Sequence, residues 1–399
     1  MFTPYLRLLK IPGVFRFSIA GFVARMPISM DSLALIFIVY HASHSYALAG
    51  SLAAVGEIVV TGAVPFWARI ADRFGQSRTL FIVIPSRAIF LSLFIVLVTH
   101  HAPVWTWFIT IIGVELSVIN AGGLVRRRWS WILGEDRHLI NTAYSYEGLM
   151  DEFIFILGPV IATFCATTIA PAAALIVGLV LMVTGSTVFA LQKSSEPPPN
   201  PRNPEAPHPA VMRNTTMQAI FFSTIFLGAF FSAVGLVVVA FAQEHHATSR
   251  TGLVLAAWAA GSGVAAFVNG SIKWKMNHAR RFSIFLSALT LLSIPLMFVH
   301  NLTFLVIALF CNGMGIAPLM VAAYGVAENA VPSEQITETL AWVFAGLPVG
   351  GALASAFSGW VIDNFGAQRG FLVPVGALCC AMAMSLPYFR TWNRLRSAS

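Results

Sequence analysis

Twelve apolar runs follow one another along the 399 residues: 15–40, 46–68, 79–99, 103–125, 143–166, 171–191, 215–242, 251–272, 282–299, 302–327, 338–362 and 371–389. A membrane crossing needs about 20 mostly apolar residues. Within hydrocarbon the backbone must satisfy its own polar groups, and helices do so segment by segment. The expected fold is therefore an all-α polytopic membrane protein with twelve transmembrane helices, spans 1 to 12. Composition excludes the alternatives. Charged residues make up 10% and hydrophobic residues 57%, against roughly 25% charged in an ordinary soluble domain. So much apolar side chain also excludes disorder. The first run is too long, and too charged at its centre, for a cleaved signal peptide.

The connectors alternate in charge. One set carries 20 of the 24 Lys and Arg: the N-terminus, 69–78, 126–142, 192–214, 273–281 and the tail. The other set holds only Arg250 and Arg369, while Arg25 and Arg87 lie inside spans. Lys and Arg accumulate on the cytoplasmic side. Both termini are thus expected in the cytoplasm, and the net charge of +8 reflects topology in a lipid bilayer. No nucleic-acid partner is expected.

The stretch SSEPPPNPRNPEAPHP at 194–209 reads as an extended linker. It separates an N-terminal six-helix half (1–191) from a C-terminal one (215–399), with 192–214 as a cytoplasmic Pro-rich linker. The halves repeat. At an offset of 202 positions Ala49-Gly50 falls on Thr251-Gly252, Ile70 on Ile272, Arg73 on Lys275 and Arg78 on Arg280. Two tandem halves with a site between them is a transporter architecture.

The loop after span 2 reads ARIADRFGQSR (68–78). It resembles the signature loop of the major facilitator superfamily, G-x-L-x-D-R-x-G-R-R, at Asp72, Arg73, Gly75 and Arg78. Ala68 replaces the first Gly. In the second half Trp274 stands where the Asp would be. Span 11, GLPVGGALASAFSGWVIDNFG, is similar to the superfamily as well. The resemblance implies secondary transport by alternating access, mostly as a monomer, with the loop as a cytoplasmic latch between halves. Asp72 would bond the helix start at Val331-Pro332-Ser333-Glu334, and Arg73 and Arg78 would pair with Glu334 or Glu338. Gly346, Gly350, Ser355 and Gly359 lie near one face of span 11 and suit sliding against span 2. Gly158-Pro159, Gly261 and Gly263 suit a matching contact between spans 5 and 8.

Charges inside the membrane are the most informative residues, because a carboxylate at bilayer depth costs at least ~2.5–3.5 kcal/mol and tends to be functional. Asp31 lies past the middle of span 1, Glu57 at the centre of span 2 and Glu115 at the centre of span 4. Arg25 and Arg87 join them in spans 1 and 3. These five are the candidates for proton coupling or for lining a substrate cavity. A carboxyl held away from water can load and release protons near neutral pH, and a nearby cation opposes this. Proton-coupled exporters of the superfamily often carry an acid in span 1, which brings Asp31 forward. They also tend to carry an Arg deep in span 4, where this chain has Glu115. Glu147, Asp151 and Glu152 sit closer to the cytoplasmic edge. With Gly158 and Pro159 they form a possible span 5 network, in which Arg126, Arg127 and Arg128 pair with the acids. Spans 7 to 12 hold no deep charge, so they supply mostly apolar and aromatic wall.

Cys165, Cys311, Cys379 and Cys380 show no ligand spacing. Seven of the ten His lie in or beside the connectors poor in Lys and Arg, in separate loops. No metal and no cofactor are expected. No G-x-x-x-x-G-K occurs, so the chain has no P-loop for ATP. A polytopic enzyme would need a catalytic cluster, for which Glu147-x-x-x-Asp151-Glu152 is the only candidate; no enzyme activity is expected. The chain reads as a transporter of a small molecule in the cell (inner or plasma) membrane. Proton-coupled export is the first direction, and uptake or facilitated passage the alternative.

Overall fold

The computed structural model describes residue 8 and residues 11–134, 136–199, 211–272, 274, 276–331 and 336–385. No strand occurs among these residues. Among the described residues twelve helices are long and apolar enough to cross a membrane: Val14–Ser43, Tyr46–Phe74, Gln76–Thr99, Val104–Leu133, Thr142–Ile169, Ala173–Leu191, Thr215–Glu244, Thr248–Asn269, His278–Phe298, Leu302–Ala327, Trp342–Phe365 and Ala367–Ser385. These are spans 1 to 12. Large apolar side chains such as Ile89, Phe267, Leu291 and Leu353 lie exposed on their flanks, as lipid-facing positions require.

Most spans match their apolar runs to within a few residues. Span 4 differs, because its helix carries Arg126, Arg127 and Arg128 inside it as far as Leu133. The cationic run expected in a connector is therefore helical, and its side chains point in different directions. Spans 1, 4 and 10 are also broken well inside their length. Span 1 consists of Val14–Arg25 and Pro27–Ser43, hinged at Met26. Proline lacks the N–H that a continuous helix would use, and it suits the first position of a new helix. Span 4 breaks between Val104–Leu116 and Ala121–Leu133. Span 10 breaks between Leu302–Gly313 and Ile316–Glu328.

The helix ends follow from residue chemistry. Asn120, Asn214, Asn277 and Asn301 cap helices by accepting from the amides of Gly123, Thr216, Arg280 and Phe304, which satisfies donors the helix leaves free. His44, His101 and His246 adopt φ of 50–52°, the left-handed conformation that ends helices and that few non-glycine residues adopt. Three of the seven loop histidines are thus chain-reversal residues.

Contacts divide the chain into two compact units, Met1–Ala42 with Val59–Pro204, and Ser43–Ile58 with Glu205–Ser399. One division falls in the Pro-rich linker. The other two fall at Ala42/Ser43, at the end of span 1, and within span 2, whose first part packs in the second unit. In the first unit the inner core gathers Phe17, Leu80, Leu124, Val125, Trp129 and Phe189, with Phe17 edge-on to Trp129 at 5.1 Å. In the second unit span 7 is the central helix. Side chains added at Gly228, Gly346 or Gly350 would overlap the facing helix of the span 7–span 11 pair, so these two backbones touch directly.

Candidate functional site

The break in span 1 separates two charge clusters, both inside the first unit. On the far side of Met26, one turn beyond Pro27, stands Asp31. Arg87 of span 3 donates from Nη2 to Asp31 Oδ2 at 2.6 Å and from Nη1 to the Val114 carbonyl at 3.2 Å. The Glu115 carboxylate lies 3.9 Å from Arg87 Nη1. One guanidinium thus faces two carboxylates, and the ionised trio carries a net charge of −1. Asp31 Oδ1 is buried and has no hydrogen-bond partner among the described residues. Beside it runs span 6, where a Cβ on Gly178 would lie 3.3 Å from that oxygen. A small, partly open pocket of about 60 Å³ is lined by Asp31, Arg87, Ser117 and Ser186 together with apolar side chains of spans 1, 3, 4 and 6. The unwound turn of span 4 contributes Ser117, whose hydroxyl is 2.7 Å from that of Ser86.

On the near side of Met26, Arg25 is nearly inaccessible, with 2% of its side chain exposed. Its Nε donates to the Gly21 carbonyl at 3.1 Å, and Nη1 to Asp151 Oδ1 at 2.8 Å. Nη2 donates to Glu147. Glu147 Oε1 also accepts from Trp129 Nε1 at 2.7 Å, and Asp151 Oδ2 accepts from Arg126 at 2.7 Å. Two cations and two anions balance here, and the carboxylate oxygens of Glu147 and Asp151 all have partners. Glu152 makes no ion pair among the described residues. Of the acids grouped in span 5, Glu147 and Asp151 gather around Arg25, which the sequence had grouped with Asp31, and of the three expected arginines Arg126 alone pairs with them among the described residues. The six-residue spacing and the intervening break send the two side chains to different partners.

The other candidates lie elsewhere. Glu57 belongs to the second unit, where a Cβ on Gly351 would lie 3.7 Å from its carboxyl carbon. Asp72 pairs with Arg127 Nη1 at 3.2 Å. The proposed partner helix start at 332–335 lies outside the described residues, as does the side chain of Glu338. Arg73 and Arg78 are exposed, and the Arg73 guanidinium sits 5.2 Å from the Phe74 ring. Gly75 has φ 99° and precedes span 3, a conformation that glycine tolerates best.

Glycine contacts also differ from expectation. A side chain on Gly158 would overlap Ser29 Oγ, and one on Gly261 would overlap the Phe310 carbonyl. The close approaches are between spans 1 and 5 and between spans 8 and 10. On span 11, Gly346 and Gly350 meet span 7, while Ser355 and Gly359 meet the first part of span 2. Steps of four and five residues rotate the small-residue stripe, so that it serves two neighbours.

Several contacts escaped the sequence reading. Arg128 is fully buried; it donates to Gln76 Oε1, the Gln192 carbonyl and Ser195 Oγ, all at 2.9 Å, and lies 3.7 Å from the Phe189 ring. Glu196, read as linker, accepts from the amide and hydroxyl of Ser77 at the start of span 3. In the second half Arg281 lies over Trp274 at 4.8 Å and donates to Asn269 Oδ1 at 2.9 Å. The Trp that replaces the Asp thus still receives a cation.

Residues 220–397 match the model of the Major Facilitator Superfamily. Among solved structures the chain resembles a nucleoside transporter, NupG, with a TM-score of 0.74 at 14% identity, covering 94% of this chain and 98% of that one. It resembles an auto-inhibited POT family peptide transporter with a TM-score of 0.76 at 11% identity, covering 96% and 97%. It also resembles a bacterial homologue of the human lysosomal transporter Spinster, with a TM-score of 0.73 at 12% identity, covering 96% and 97%. At these identities the likeness is one of fold. No curated protein matches in sequence. The matching family and these neighbours are transporters, not enzymes.

Proposed function

We propose that this chain, built on the Major Facilitator Superfamily fold, is a proton-coupled secondary transporter that exports a small molecule by alternating access. The observation that carries the reading is Asp31, tied to Arg87 through one oxygen while the other is buried, without a partner among the described residues, beside a small open pocket. An uncompensated charge in a water-poor site is costly. A proton on Asp31 Oδ1 neutralises the trio and loosens its hold on Arg87, which then turns toward Glu115. Loss of the proton reverses the exchange. Deep acids in spans mark proton relays in pumps and transporters, and the acid in span 1 favours exchange over symport. The saturated cluster around Arg25 holds spans 1, 4 and 5 together and takes no part in proton transfer. Both termini face the cytoplasm, in keeping with the basic connectors, and the protein works as a monomer.

The test is proton flux in vesicles holding a trapped pH dye, with drugs, sugars, nucleosides and dipeptides supplied in turn. A substrate moving outward in exchange should bring protons inward, and Asp31→Asn should abolish that flux with abundance unchanged. Normal flux in Asp31→Asn removes the residue from the mechanism. Protons moving with the substrate replace export by uptake symport.

A further inference from the structure

Within the second unit, the first part of span 2 is held onto span 11 by a carboxylate that nothing above employs. Asp363 stands two residues before the end of the helix Ile336–Phe365. Its Oδ2 accepts from the Ser45 hydroxyl and the Ala47 amide, both at 2.8 Å, and its Oδ1 accepts from the Tyr46 amide at 3.0 Å. Tyr46 and Ala47 open the span 2 helix Tyr46–Phe74. Both oxygens of one side chain are thus spent on the first turn of another helix, where free amides and the helix dipole favour an anion. The Ser45 hydroxyl also accepts from the Leu48 amide at 3.1 Å, so Ser45 both caps its own helix and holds Asp363.

The cap ends a tight seam. A side chain on Gly359 would overlap the Tyr46 carbonyl, and one on Gly50 would overlap the Ser355 carbonyl. Such backbone contact is intimate, yet among small residues it offers little apolar side-chain area to resist separation. The charged cap is therefore the directional element of the seam. Moreover, span 2 changes unit at Ile58/Val59. Beyond that point Gly62 meets nothing that a Cβ would touch, and Pro65 lies inside the helix. A capped, docked first part is followed by a segment able to bend.

The geometry points to Asp363 as a latch that holds span 2 against span 11 at the end opposite the basic connectors, and that must release when the transporter opens on that side. This rests on the alternating-access reading, not on proton coupling or substrate. Ser355, 5% exposed beneath span 2, reports the state of the seam.

The experiment places Ser355→Cys in the full chain and measures its labelling by a membrane-impermeant maleimide added outside intact cells. The same chains without Ser355→Cys correct for the four native cysteines. Asp363→Asn loses the charge, and with it the strength of charge-assisted hydrogen bonds, so labelling should rise on the order of ten-fold. Ser45→Ala removes one donor and leaves the carboxylate on the two amides, so it should raise labelling less, in the same direction. Unchanged rates in both variants overturn the latch. If Asp363→Asn fails to reach the membrane, Ser45→Ala decides alone, and an unchanged rate there has the same force. Labelling needs neither substrate nor proton gradient, so its failure is distinguishable from a failed flux test with Asp31→Asn.

Discussion

Replacing Arg25 with Met keeps much of the side chain's apolar stem and removes its charge. Asp151 retains Arg126 at 2.7 Å and is 32% exposed, so water and a second cation cover its loss. Glu147 has 0% of its side chain exposed and retains only the bond from Trp129. It becomes a buried carboxylate without a counter-ion. Breaking a buried pair by removing one partner costs about 3–5 kcal/mol. Removing Arg126 instead leaves Asp151 on Arg25, and Arg126 and Asp151 are each about a third exposed, so the cost is about 1 kcal/mol or less. With about 2–4 °C of Tm per kcal/mol for a unit of this size, Arg25→Met should lower the apparent Tm by about 6–20 °C and Arg126→Met by less than about 4 °C. Size-exclusion analysis of detergent-solubilised protein after stepwise heating measures both. Adding Glu147→Gln to Arg25→Met removes the uncompensated charge and should recover more than half of the loss. Equal shifts for the two Arg variants, or a double variant no more stable than Arg25→Met, would refute the reasoning.

Gly158→Ala puts a methyl group into Ser29 Oγ, which also donates to the Ile154 carbonyl at 2.7 Å. The expected loss is about 1–3 kcal/mol, as for other overpacked contacts, with partial recovery in Gly158→Ala/Ser29→Ala; wild-type stability in the single variant would count against the close crossing. Asp72→Asn should leave thermal stability within about 1 kcal/mol, because the pair with Arg127 is partly exposed, yet slow transport without altering substrate preference. An unchanged transport rate argues against a latch at this loop.

The spans were legible because period and length decide a membrane helix, and each run carries enough apolar residues to do so alone. The breaks were less legible. Pro27 is a visible signal, whereas Ser117–Asn120 contains no proline and unwinds where Glu115, Ser117 and Arg87 meet. The candidate charges were legible as a set, since any deep charge stands out against an apolar background. Their pairing was not. Arg25 and Asp31 look like partners on one helix until the break turns them apart, and Arg87 reaches Asp31 across a sequence distance that no local pattern encodes. Glycine faces failed for a related reason. Spacing shows that Gly158 or Gly346 permits close approach, but only packing shows which helix approaches.

Arg126, Arg127 and Arg128 show how one helical turn can join distant parts of the first unit. Successive helical residues point about 100° apart. Arg126 therefore turns to Asp151 of span 5, Arg127 to Asp72 at the end of span 2, and Arg128 to Gln76, Gln192 and Ser195, beside Phe189. Through Asp151 the first of these touches Arg25, just before the span 1 break, with Asp31 just beyond it. The break in span 4 frees this half-helix from the half that carries Glu115. A shift of Arg87 between Asp31 and Glu115 would thus act on both broken helices at their hinges, while the saturated arginine cluster holds their inner halves fixed. If Asp31 takes up a proton as proposed, the shift of Arg87 would reach the Arg127–Asp72 pair through these rigid inner half-helices.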